Sequence, residues 1–115
     1  VGSPWVRMCL DTGHAHATMS NSSAAGAGAV GVAIGVCAPA ISYLHVHDND
    51  GMHDSHVMPG RGAVSGGRGI DWASVAEALR ITECSAIRML EVFEDPSLSG
   101  PAAEFGGKLR GWVAL

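Results

Sequence analysis

Twice in this chain a short apolar run leads straight into a cluster of histidines and carboxylates. Val6 to Leu10 ends at Asp11-Thr-Gly-His14, and Ile41 to Val46 opens into His45-Val-His-Asp48-Asn-Asp-Gly-Met-His-Asp54-Ser-His56. Each run has the β-branched and apolar character of a buried strand, and Asp11-Thr12-Gly13 reads as the turn that closes the first. Chemistry gathered at the C-terminal ends of successive strands is the layout of a parallel α/β fold, because those ends open into the loops that carry function.

The remaining segments supply the other elements. Asn21 to Ser23 can cap a helix through the Ala/Gly segment. There Gly26, Gly28, Gly31 and Gly35 each cost roughly 1 kcal/mol against alanine, so packing must hold that helix. Pro59 to Gly69 is a Gly-rich connector. Asp71 can cap a helix from Trp72 to about Ile81, with Val75, Ala76 and Leu79 at helical spacing, Arg80 in the last turn and Trp72 as a packing residue at its start. Ile87 to Phe93 is a third strand, carrying Glu91. A last amphipathic segment after Pro101 presents Phe105, Leu109, Trp112 and Val113. Strand and helix thus alternate three times. Three parallel strands neither close a barrel nor cover both faces of a sheet, so the expectation is a fragment, or a half-barrel completed by a partner chain or a second copy.

Composition narrows the class. At 115 residues and 47% hydrophobic content the chain supports one domain with one core. A net charge of -4 argues against a broad electrostatic grip on nucleic acid or an anionic membrane and favours a small-molecule partner. Cys9, Cys37 and Cys84 have no CxxC spacing and apolar neighbours, which predicts three core residues in a reducing cytoplasm. The most apolar stretch, Ala24 to Ala40, is broken by glycines and Pro39, so no membrane span is expected.

The clusters carry the chemistry. Imidazole with carboxylate suits zinc, manganese, cobalt or iron, and mixed nitrogen and oxygen ligands belong more often to catalytic than to structural sites. Asp11 and His14 fit one metal, two adjacent ones, or a turn aspartate beside a solvated histidine. The stretch from His45 to His56 holds four histidines and three aspartates, more than a solvated loop needs, although His-rich tracts also bind metal adventitiously. Glu91 interrupts the apolar Met89-Leu90-Glu91-Val92-Phe93, where a carboxylate is costly to bury unless paired or metal-bound. Arg61, in Pro59-Gly60-Arg61-Gly62, either meets an anionic or hydroxyl-rich substrate or belongs to a plain connector. Gly26-Ala-Gly28-Ala-Val-Gly31 matches GxGxxG, but no strand precedes it, so a nucleotide site is not expected.

Taken together, Leu10-Asp11-Thr12-Gly13-His14, His45-Val46-His47-Asp48-Asn49-Asp50-Gly51 with Asp54-Ser55-His56, Pro59-Gly60-Arg61-Gly62, Ile70-Asp71-Trp72 and Leu90-Glu91-Val92 resemble the C-terminal part of the xylose isomerase-like TIM barrels. That superfamily includes sugar-phosphate isomerases and epimerases and the abasic-site nucleases of AP endonuclease family 2, the endonuclease IV type. The resemblance implies a partial (β/α)8 barrel, roughly its last three β/α units, with residues 1–115 as a C-terminal fragment of one such domain. It implies that Asp11, His45 and Glu91 ligate a central divalent metal, with Glu91 also a catalytic acid/base. His14, Asp54 and His56 resemble the set that holds a further zinc in the nuclease branch. His47, Asp48 and Arg61 would face substrate or orient the ligands.

In the resemblance, a glutamate ligand on the preceding strand falls before Val1, so the chain alone is expected to have little turnover. The insertion from Ala63 to Gly69 could displace the loop over the substrate. The function this implies is metal-dependent sugar or sugar-phosphate isomerisation or epimerisation, in which Glu91 moves a proton on one face of a carbon beside a carbonyl. The competing readings are an inactive remnant or half-barrel, and a zinc-dependent abasic-site nuclease. The acidic balance and the Asn49-Asp50-Gly51 loop followed by Asp71-Trp72 count against the nuclease.

Overall fold

The computed structural model describes residues 3, 5–20, 26–65 and 68–93. Three parallel strands, β1 (Met8–Asp11), β2 (Ile41–Val46) and β3 (Ile87–Leu90), form a sheet in the order β1-β2-β3. The register pairs Asp11 with His45 and His45 with Met89, so the functional clusters leave the sheet side by side. Three α-helices join them: α1 (Thr12–Met19), α2 (Ala29–Cys37) and α3 (Trp72–Ile81). The parallel α/β expectation is met within the described residues, and the amphipathic segment after Pro101 lies outside them.

Buried side chains explain the layering. Ile41, Leu44 and Val46 of β2 meet Val30, Ile34 and Ala38 from α2 and its end, and Val75 and Leu79 from α3. Among the described residues the opposite face of the sheet is open. Cys9, Tyr43 and Ile87 share one row of the register there and all are exposed. Cys9 is therefore not a core residue, because strand alternation turns it away from the helices. Cys84 is buried and Cys37 packs at the core's margin, as expected.

Three boundaries differ from the sequence reading. Asp11-Thr12-Gly13 is not a free turn: Asp11 is the N-cap of α1 and accepts from the His14 N–H at 2.8 Å. Thr-Gly-His-Ala-His-Ala-Thr-Met shows no apolar stripe, so periodicity gave no sign of this helix. Tertiary bonds hold it, with Thr12 Oγ1 donating to the His47 carbonyl at 2.8 Å and accepting from the His47 N–H at 3.1 Å. The second helix begins at Ala29, after a 3-10 turn over Gly26–Gly28, and the proposed caps Asn21 to Ser23 lie outside the described residues. The third strand ends at Leu90, which places Glu91 just beyond it.

Gly31 is the point where α2 meets α3. A Cβ there would stand 2.7 Å from Ser74 Oγ and 2.8 Å from the Ser74 carbonyl oxygen, so glycine is what lets the helices approach. The capping by Asp71 is as expected: its Oδ1 accepts from the N–H groups of Ala73 and Ser74 at 3.1 and 3.2 Å. No helix among the described residues is long and apolar enough to cross a membrane.

Candidate metal centre

Beyond β2 the chain turns into a loop organised by its own carboxylates. Asp48 is fully buried. Its Oδ1 accepts from the N–H groups of Asn49 (2.9 Å) and Ile70 (3.0 Å). Its Oδ2 accepts from the Gly60 N–H (2.8 Å) and Trp72 Nε1 (2.9 Å). Four donors of the chain itself occupy this carboxylate, which was expected to face substrate or to orient the ligands; it is not free to meet a substrate. Gly62 lies against this knot, and a Cβ there would overlap Asp48 Oδ1 and the Asn49 carbonyl oxygen. Asn49, also fully buried, ties the loop to α1 through a 2.8 Å bond from Nδ2 to the Gly13 carbonyl.

With the loop fixed, two groups of ligand-type atoms converge. Asp11, His45 and Glu91 form one, at the ends of the three adjacent strands, and His14, His47, Asp54 and His56 form the other. Within each group the ligand-type atoms lie within 4.8 Å of one another. Glu91 Oε2 is 2.8 Å from His45 Nδ1, yet this buried oxygen has no hydrogen-bond partner of acceptable geometry. Two ligand-type atoms this close without an aligned hydrogen bond leave room for a cation as their common partner. The mixed imidazole and carboxylate set suits zinc, manganese, cobalt or iron.

The second group is linked to the first. His14 Nδ1 lies 3.4 Å from Asp11 Oδ2, while its Nε2 meets Asp54 Oδ2 at 3.1 Å. The hydrogen bond to Asp54 raises the pKa of His14, aided by the negative charges of Asp11, Asp54 and Glu91 and opposed by desolvation. The same bond lowers that of Asp54. His56 adopts a left-handed backbone with φ of 45°. Its Nδ1 donates to the Glu91 carbonyl oxygen at 3.0 Å, and its Nε2 lies 3.1 Å from Asp54 Oδ1.

The xylose isomerase-like TIM barrel family matches residues 1–110. The chain belongs to that family. No curated protein and no solved structure matches it. Membership agrees with the geometry: parallel strands, helices on one face, and metal-type side chains at the strands' C-terminal ends are what a sector of such a barrel presents.

Of the residues singled out from the sequence, Asp11, His45 and Glu91 come together, as do His14, Asp54 and His56. Arg61 is half-buried, and its backbone N–H closes a turn onto the Met58 carbonyl at 2.9 Å. The described part of the Ala63 to Gly69 insertion folds back on the loop, with the Arg68 N–H bonded to the Asp50 carbonyl and the Arg68 carbonyl bonded to His16 Nε2. His16 is buried beneath that contact and belongs to neither group, and exposed His53 pairs with Asp50 instead.

His47, expected to face substrate or to orient the ligands, stands just past β2 and within reach of the second group. One feature was missed. Phe93 stacks on His56 with ring centroids 4.3 Å apart, which nothing in the local sequence announces.

Proposed function

We propose that this chain carries the metal-binding sector of a divalent-metal-dependent sugar or sugar-phosphate isomerase or epimerase, its three strands being the sixth to eighth of the barrel. The observation that carries this reading is the convergence of Asp11, His45 and Glu91 on adjacent strand ends. The order of the five sequence motifs supports the placement in the C-terminal part of the domain. A bound divalent ion supplies Lewis acidity toward neighbouring oxygens of a sugar. Glu91, with a side chain 39% exposed, is accessible to substrate and acts as the base or acid on one face of a carbon beside a carbonyl. The reading calls for a second acid or base on the other face of that carbon. Arg61 is proposed to meet the hydroxyl or phosphate groups of the sugar. A cytoplasmic setting and a partner chain or second copy that completes the barrel belong to the same reading.

Metal content after dialysis tests it. One equivalent that disappears in Asp11→Ala, His45→Ala and Glu91→Gln supports the site; an equivalent indifferent to all three contradicts it. In a barrel that includes the preceding strands, Glu91→Gln should remove most isomerase or epimerase activity while the protein remains folded, and a near-normal rate would exclude its acid/base role.

The second group favours one other reading. His14, Asp54 and His56, which come together with His47, resemble the set that holds a further zinc in abasic-site nucleases. Cleavage of an abasic oligonucleotide that is lost in His56→Ala would establish that branch. Absence of metal binding and of both activities in the completed barrel would leave the inactive remnant.

A further inference from the structure

We propose that His47 is a positioning residue that leaves a single oxygen of Asp11 free for the metal. The proposal rests on the metal-site reading above for its consequence, but on the chain's own hydrogen bonds for its geometry. Asp11 Oδ1 already accepts two bonds, from the His14 N–H at 2.8 Å and from His47 Nε2 at 2.9 Å. Both donors draw on the same oxygen. Oδ2 is left toward His45 Nδ1 at 3.8 Å and His14 Nδ1 at 3.4 Å, where a cation would sit. A hydrogen bond to the oxygen that does not ligate fixes the carboxylate's rotation, as outer partners of metal ligands do.

His47 is built for this task and not for ligation. Its ring is fully buried and lies parallel to that of His56, with centroids 3.7 Å apart and planes 5° from parallel. Imidazole lone pairs lie in the ring plane, so no single ion lies along the lone pairs of both rings. Proximity within the second group therefore does not make His47 a fourth ligand. Donation from Nε2 leaves Nδ1 without a proton, and that atom is buried without a partner. Thr12 holds the His47 backbone from both sides. Gly13 provides the space, because a Cβ there would overlap His47 Cε1 and Nδ1. Asp11-Thr12-Gly13 thus supplies the ligand, the clamp and the cradle in three consecutive residues.

The test is a competition titration with zinc, and a cobalt absorption spectrum, of the equivalent that Glu91→Gln abolishes. His47→Gln keeps an amide donor near the Nε2 position, His47→Leu removes it, and Gly13→Ala expels the ring with every ligand intact. Affinity should fall roughly 10- to 100-fold in His47→Leu and Gly13→Ala and stay within about threefold of the parent, with the parental cobalt spectrum, in His47→Gln. Equal loss in the Gln and Leu variants, or parental affinity in Leu, would overturn the proposal. A metal-free readout separates it from the site itself: imidazole nitrogen shifts should show the Nε2–H tautomer of His47 in the apo chain and its loss in Asp11→Ala. A parent that binds no ion would strike the metal reading, whereas a different or Asp11-independent tautomer would strike the role of His47.

Discussion

The indole Nε1 of Trp72 donates to the fully buried Oδ2 side of Asp48 across 2.9 Å, tying the first residue of α3 to the loop that leaves β2. Three backbone N–H groups, from Asn49, Gly60 and Ile70, share the same carboxylate. The loop that positions Asp54 and His56 is thereby fastened to α3, while Asn49 ties it to α1.

Asp48→Ala would orphan those donors together. Removing a buried acceptor costs the desolvation of each group left behind, so the variant should lose roughly 2–4 kcal/mol of stability, and Trp72→Phe about 1–2 kcal/mol. Urea unfolding of the metal-free protein measures both. A neutral Asp48→Ala would show that the loop finds other partners.

Gly31 and Gly35 sit in the same helix with opposite prospects. Gly35 has nothing within 4 Å of where a Cβ would be, so Gly35→Ala should stabilise by up to about 1 kcal/mol through helix propensity and a less flexible unfolded chain. Gly31→Ala should destabilise, because its methyl group would meet Ser74 backbone and side chain. Thermal midpoints of the two variants should move in opposite directions.

Metal should stabilise this fold. An ion that binds only the native state at 100 times its Kd adds about 2.7 kcal/mol. The thermal midpoint should therefore rise on adding zinc or manganese to apo protein and return on chelation. The rise should vanish in Asp11→Ala, which removes a ligand of the proposed ion, and an undiminished rise there would place the ion elsewhere.

Acid should loosen the loop through Asp50. His53 lowers the pKa of Asp50 through its side chain first and its backbone N–H second, with the Met52 N–H adding to both. The folded value lies below the unfolded one, so the contribution is complete above the unfolded carboxylate pKa of about 3.9 and is lost as pH falls from there toward the folded value. Asp50→Asn should reduce the slope of stability against pH below about pH 4 and leave the slope near neutrality unchanged. Denaturant titrations across that range provide the check.

What the sequence declared and what it hid follow from the range of the forces involved. Ile41–Val46 and Trp72–Ile81 were legible to the residue because a short apolar run, a helical stripe and the Asp71 cap are local signals. The pairing of chemistry with strand ends was legible too, and with it two sets of three candidate ligands. Helix α1 was hidden, since its residues carry no stripe and its anchors, Thr12 to His47, lie 35 positions apart. Asp48 looked like a functional carboxylate because residue type alone does not reveal burial. Its four donors come from three stretches of chain that meet only on folding. His47 shows the same division: the sequence determined that an imidazole stands two residues past His45, whereas only the tertiary structure aimed it at Asp11. It did so by laying its ring over a glycine on one side and against His56 on the other, contacts between distant segments that no local pattern encodes.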